Sequence, residues 1–413
     1  MINKKKLGTL TVLILFSVVA RTSYSHVIPF AFLRAKAPTL NWDFTALTSL
    51  PSQLTFTRAS TATYINSSGL IQTAAINTPR FSYDPTTLQP EGLLMEASAT
   101  NMISCSENID KTTCWDANTT AMAVNHNVAV APDGATTAEK ITATGDAWLI
   151  APVPTTSIGT PYTFSIYAKG DTSGHATLYL QEAGGAYTWF GQLDMLITTS
   201  WQRYTVTGTK TNSNPMRAVV ALYQSGGDMG SIYIWGAQYE AGSLATSYIP
   251  TTTVAVTRSA DSATFNTMTW FNATNGTLFA EYKNIGVEAA TTYRVFGLFN
   301  TNVAGTFAQN SIEISDSNTT VRSGVTTASS AVFAPSATLS AAGVINRQAI
   351  TYKANSFTSS INRAAVGSDT SGTLPAPAYG YLGSQPDGNI RNRYIRRIHY
   401  YDTNVTNAQL QGL

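Results

Sequence analysis

The chain has 413 residues; 12% are charged, 43% are hydrophobic and the net charge is +2. Charge is low against roughly 25% in an average globular protein, and abundant Thr, Tyr, Val and Ile favour β-sheet and polar turns. The near-neutral balance gives no argument for nucleic acid or a strongly anionic partner, the apolar content argues against disorder, and the length suits about two or three domains.

Residues 1–25 read as a signal peptide or a hydrophobic anchor. Lys4-Lys5-Lys6 precede an uncharged, mainly apolar run from Leu7 to Ala20. Ser23 and Ser25 place small residues where a signal peptidase inspects. The run is shorter than the ~20 residues of a membrane span, which favours cleavage over retention. Residues 26–39, with Pro29 and Pro38, read as a linker or attachment arm.

Residues 40–100 read as a turn-rich β segment. Thr63-Tyr64-Ile65 and Leu70-Ile71-Gln72 predict a hairpin in which Gly69 is free to take positive φ. Pro79, Pro85 and Pro90 keep the remainder irregular.

Residues 101–250 predict a β-sandwich. Tyr162, Phe164, Ile166 and Ala168 alternate on one strand face, and Ala176, Leu178 and Leu180 repeat the pattern. Trp201 to Val206 and Ser231 to Gly242 supply further strands, with Gly, Asn and Ser clusters between them. Cys105 and Cys114 are the only cysteines. An exported chain would join them in a local disulfide, and two unpaired buried thiols are the equal alternative. Two thiols alone cannot complete a tetrahedral zinc shell.

Residues 251–265 read as a junction. Thr257-Arg258-Ser259-Ala260 echoes Thr57-Arg58-Ala59-Ser60, and both follow β-rich segments. A border segment must hold its two neighbours together, so a structural role is the expectation.

Several runs carry a resemblance over residues 40–265. They are Phe56 to Thr63, Thr78-Pro79-Arg80-Phe81, Gly92-Leu93-Leu94-Met95-Glu96, Tyr233 to Gln238 and Ser247-Tyr248-Ile249-Pro250-Thr251. Together they resemble phage tail-fibre and head-spike proteins. Those proteins pair a carbohydrate-binding-module-like jelly roll, here 101–250, with a terminal lectin-like domain.

The terminal unit, 266–413, ends on Ile395-Arg396-Arg397-Ile398-His399-Tyr400. Apolar residues at 395, 398 and 400 leave one residue too many for a regular strand, which predicts a β-bulge. Thr406-Asn407-Ala408-Gln409 then predicts a capping box and one helical turn. This ending is similar to that of concanavalin A-like and laminin-G-like lectin domains. Upstream, Ala349 to Lys353, Ser359 to Arg363 and Tyr379 to Ser384 follow the same order. Asn362-Arg363 stands where Asn-Gly is usual, and Asn392-Arg393 where a glycine is usual before the last strand. The fold expectation is therefore all-β, with two β-sandwich (jelly-roll) domains in tandem.

The search for catalytic motifs is negative. No nucleophile elbow, zinc-protease helix or phosphate-cradling loop is present. The four histidines are scattered, and His399 is expected to face solvent. Sandwich glycosidases carry paired carboxylates on one strand face, whereas Glu313 and Asp316 fall on opposite faces.

Sugar binding asks only for exposed flat rings beside a few polar groups. Trp148, Tyr187 and Trp189 are the candidates for a glycan site, while Trp115, Trp201 and Trp235 are expected in the core. Asp387 and Asn389, around Gly388, offer oxygens in one turn. Calcium is the only cofactor they suggest, and a plain turn is the stronger reading because calcium takes six to eight oxygens.

These features and the resemblance imply a non-catalytic glycan-binding adhesion protein, a tail-fibre or spike component that recognises host surface carbohydrate. Its expected place is the virion surface or the exported fraction. The expected partners are a host cell-surface glycan, virion or fibre proteins and further copies of the chain, a trimer being one arrangement. The alternatives are a polysaccharide-degrading enzyme on the same fold and a purely structural spike.

Overall fold

The computed structural model describes residues 37–109, 114–117, 121–151, 153–154, 156–183, 188–286, 292–305, 310–317 and 319–413, the Val366 side chain apart. The expected signal or anchor, the arm as far as residue 36, and Tyr187 lie outside these residues. The described chain is all-β. Every paired strand is antiparallel, and the sheets form sandwiches.

The middle sandwich has two five-stranded sheets. One runs in the order Gln202–Thr209, Pro161–Lys169, Ser231–Ala241, Ala138–Ala143, Met122–Ala129. The other runs Thr188–Ile197, Gly174–Glu182, Met216–Leu222, Ala147–Ala151, Asp116–Ala117. The two predicted apolar stripes meet between them. Phe164, Ile166 and Ala168 from one sheet and Ala176, Leu178 and Leu180 from the other are all fully buried in one core. Cys105 and Cys114 are bridged at the edge of this core, with Cα atoms 6.0 Å apart.

The C-terminal sandwich has two eight-stranded sheets. Residues 40–100, expected as a segment apart, supply four of their strands. Leu40–Asp43, Phe81–Tyr83 and Pro90–Met95 join one sheet, and Thr55–Thr57 joins the other. Trp42, Phe44, Phe56, Leu93 and Met95 are accordingly buried in one core with Leu278, Ile350 and Ile395.

The last strand, Arg393–Tyr401, explains this arrangement. Its partner Asn275–Asn284 faces Arg397 with Glu281 and Ile395 with Tyr282, so Arg396 is the extra residue. The predicted bulge is present, and it divides the other edge of the strand. Arg393 to Ile395 pair with Pro90–Met95, and Arg397 to Tyr400 pair with Leu40–Asp43. A bulge re-aims its side chain; here the Arg396 guanidinium reaches the carbonyls of Pro90 and Glu91 and the Glu281 carboxylate. The helix Asn407–Gly412 follows, closed by the predicted Thr406/Gln409 capping box. It buries Leu410 against Phe279 and Ala349. His399, expected to face solvent, is half-buried, 5.3 Å from the Phe279 ring.

Two turns show why their residues matter. Gly69 takes φ 77° in the predicted hairpin of Ala62–Ile65 and Ile71–Ala74. Asn362 and Arg363 take φ 49° and 70° between Ser356–Ile361 and Ala364–Asp369, a turn with both central residues left-handed. Arginine is strained there and glycine is not. Arg363→Gly is therefore expected to raise stability by about 0.5–1 kcal/mol after the entropy that glycine adds to the unfolded chain. A urea melt showing no gain would place the strain elsewhere.

Candidate functional site

The sheet that contains Gly174–Glu182 has a second face, turned away from the core. Alternation puts His175, Thr177, Tyr179 and Gln181 on it. Cross-strand register extends the face in both directions. Tyr179 lies opposite Val219, and Thr177 opposite Ala221, which in turn lies opposite Trp148. On the other side Gln181 lies opposite Trp189, with one irregular residue between that pair and Leu180–Gly191.

Ile150, Tyr179, Val219 and Ala221 form a small buried apolar cluster on this outward face, with Trp148 and Tyr223 packed against it. Trp189 stands 48% exposed and stacks on Tyr179, ring centroids 5.2 Å apart and planes 20° from parallel. The Tyr223 hydroxyl donates to the Tyr179 hydroxyl at 3.1 Å. Burial and this neighbour push the Tyr179 phenol far above its ordinary pKa, so it remains a neutral hydroxyl.

Polar groups border the rings. Gln181 lies opposite Arg217 on the neighbouring strand, and Gln192 opposite Tyr179. His175 Nδ1 is 2.8 Å from Asp194, both well exposed. Asp228 accepts from the Tyr223 amide at 2.8 Å and from the Thr177 hydroxyl at 3.3 Å. The face thus offers flat rings flanked by amide, guanidinium and carboxylate groups, the arrangement a sugar ring and its hydroxyls require.

Of the expected site residues, Trp148 and Trp189 fall on this one face from strands that are not neighbours. Tyr179 and Tyr223 join them and were not anticipated. Tyr179 was readable, since Leu178 and Leu180 flank it and the alternation places it opposite the core. Trp115 is a core residue, 3% exposed, and Trp235, 1% exposed, is buried on the outward face of its sheet against Ile71 and Tyr248. Trp201 is only partly buried, it donates to the Val130 carbonyl, and it borders a cleft on the opposite sheet. A strand pattern alone does not say which of its faces is covered.

Asp387 is bonded on both oxygens within its own turn, to Gln385 and to Asn389, and Gly388 takes φ 79°. Among the described residues no three His, Cys, Asp or Glu gather as a metal site. Glu313 and Asp316 are buried in separate ion pairs, with Arg294 and with Arg391 and Arg393.

No protein-family model and no curated protein sequence matches the chain. It is similar in part to several solved structures. One is the CBM40 of the Ruminococcus gnavus IT-sialidase bound to α2,3-sialyllactose, at 12% identity and TM-score 0.29, covering 34% of this chain and 83% of that one. Another is a CBM4 domain, at 13% identity and TM-score 0.24, covering 29% and 94%. A third is the enzymatically active domain of tailspike protein 4 of bacteriophage CBA120, at 12% identity and TM-score 0.28, covering 34% and 21%.

Proposed function

We propose that the chain is a non-catalytic glycan-binding adhesion protein, of the receptor-binding kind that phage tail fibres and spikes carry at the virion surface. The observation that carries the reading is the exposed Trp189 ring lying on Tyr179, with Trp148 further along the same outward sheet face. A pyranose presents an apolar C–H face that packs on such rings, while its hydroxyls bond to neighbouring amides and charged groups. Gln192, exposed opposite Tyr179, is placed to make such a bond. The carboxylates of the face are already engaged, Asp194 with His175 and Asp228 with Tyr223 and Thr177, which favours holding a sugar over cleaving it.

A glycan array with the full chain identifies the sugar, and calorimetry on Trp189→Ala tests the face. The variant is expected to bind the array hit about 10- to 100-fold more weakly, the loss typical of a contact ring at a hot spot. Its melting temperature should stay nearly unchanged, because the ring is half exposed. A large fall in melting temperature would make Trp189 a structural residue. Release of reducing ends from a bound polysaccharide would replace adhesion by hydrolysis, and a silent array would leave a structural spike.

A further inference from the structure

The other sheet of the middle sandwich also has an outward face, and it is not bare. The hairpin of Ala62–Ile65 and Ile71–Ala74 stands over it and leaves a cleft of about 810 Å³. Tyr64, Lys169, Trp201 and Arg203 line the cleft. Phe164, Ile166 and Ala168 point inward, so Tyr167 and Lys169 point into it.

Two cations dominate this wall. The Lys169 ammonium lies 5.0 Å from the Trp201 ring centroid and 5.5 Å from that of Tyr233. It has no hydrogen bond and no carboxylate within ion-pair distance among the described residues; Asp171, which feels its charge, is bonded to Lys140 at 2.8 Å. Arg203 lies across the strand pair from Tyr167, its guanidinium over that ring at 5.5 Å. Its terminal nitrogens are bonded to Thr246 and Ser165, while Nε is buried without an acceptor. Glu96 is the acidic side chain of the lining. It is committed to Arg80, Arg258 and Ser247. The cleft therefore has cations to spare and no free anion, although the chain as a whole is nearly neutral. A buried donor with no acceptor is costly to leave.

We infer that this cleft is a second binding site, separate from the Trp189 face, for a sugar bearing a carboxylate, with the acid group between Lys169 and Arg203 and the ring against Trp201. That the ligand is a sugar rests on the glycan-binding reading. The preference for an anion rests on the cleft alone.

The full chain is titrated with the methyl glycosides of N-acetylneuraminic acid and of glucuronic acid, with their uncharged methyl esters, and with inorganic phosphate. Tryptophan fluorescence and calorimetry read the binding. At least one acid should bind, with its ester about tenfold weaker or worse, the scale of a lost charge-assisted contact. Lys169→Met, which keeps the apolar stem on Trp201, should show the same loss, and Lys169→Arg should restore binding if Lys169→Met proves unstable. Trp189→Ala should leave the preference for acid over ester unchanged. The inference is overturned if neither acid binds, if acid and ester bind alike, if phosphate competes as well as the acids, or if Trp189→Ala removes acid binding while Lys169→Met does not. The glycan-binding reading fails differently, through an array silent to neutral and acidic sugars alike.

Discussion

Asp261→Ala is expected to cost about 3–5 kcal/mol, the scale of a broken buried ion pair. Asp261 sits where the hairpin, the junction and the loop before Tyr248 meet. Its carboxylate accepts from Arg58 at 3.2 Å, from Arg80 at 2.6 Å and from the Glu96 amide at 2.8 Å. Arg80 also holds Glu96 at 2.6 Å, and Arg258 lies 3.5 Å from the same carboxylate. All five side chains are at most 1% exposed. Three buried guanidiniums therefore share two buried carboxylates. Removing Asp261 leaves the buried Arg58 with no carboxylate and leaves Arg80 and Arg258 to share Glu96. Urea unfolding of the variant measures the loss; a shift worth under about 1 kcal/mol would mean that solvent reaches the cluster and screens it.

The same cluster sets an acid limit. Burial alone would raise Glu96, but the guanidiniums of Arg258 and Arg80 and two bonds from Ser247 overcome it and hold the group at about 2. An unfolded glutamate titrates near 4.5. The stability this provides is complete above that value and is lost as pH falls from about 4.5 toward 2. Glu96→Gln, which does not titrate, should be less stable at neutral pH and show a shallower decline over that window. A decline identical to that of the parent would assign the acid sensitivity to other carboxylates.

Local features were legible in the sequence because they are written in periods of two and in turn chemistry. The stripes at Phe164 and Leu178, the bulge at Arg396, the Gly69 turn and the Thr406 cap each depend on neighbours a few residues away. Pairing partners were not legible. Leu40–Asp43 lies beside Tyr400 at the other end of the chain, and nothing in its four residues names that partner. The buried arginines were hidden for a related reason. Arg58, Arg80 and Arg258 stand in stretches with no apolar period, and their burial depends on carboxylates elsewhere in the chain. The Trp189 face was legible by half. The exposed ring could be guessed, whereas Tyr223 reaches it only through the register of a distant strand.

A fragment comprising residues 266–413 is expected not to fold, while one that joins residues 37–101 to 256–413 through a short linker is expected to fold. The first lacks Trp42, Phe44, Phe56, Leu93, Met95 and Phe265, all buried in the C-terminal core. At about 1.5–3 kcal/mol for each large apolar side chain, the loss is roughly 9–18 kcal/mol, as much as the whole stability of a typical domain, about 5–15 kcal/mol. It also strips Leu40–Asp43 and Pro90–Met95 from the Arg393–Tyr401 strand, leaving an open edge that invites aggregation. The second fragment restores both. Its new joint is short, because Asn101 and Val256 are paired residues on adjacent strands, so the middle sandwich enters and leaves the C-terminal one at a single point. Residues 102–255, with the core of Phe164 and Leu178 intact, should then fold as a separate product. Circular dichroism and amide exchange on the three fragments decide the matter: a folded, soluble 266–413 would show that the N-terminal strands are accessory, and an unfolded joined fragment would show that the bonds of Ser247 to Arg80 and Glu96 and of Tyr248 to Thr63 are needed to close the C-terminal sandwich.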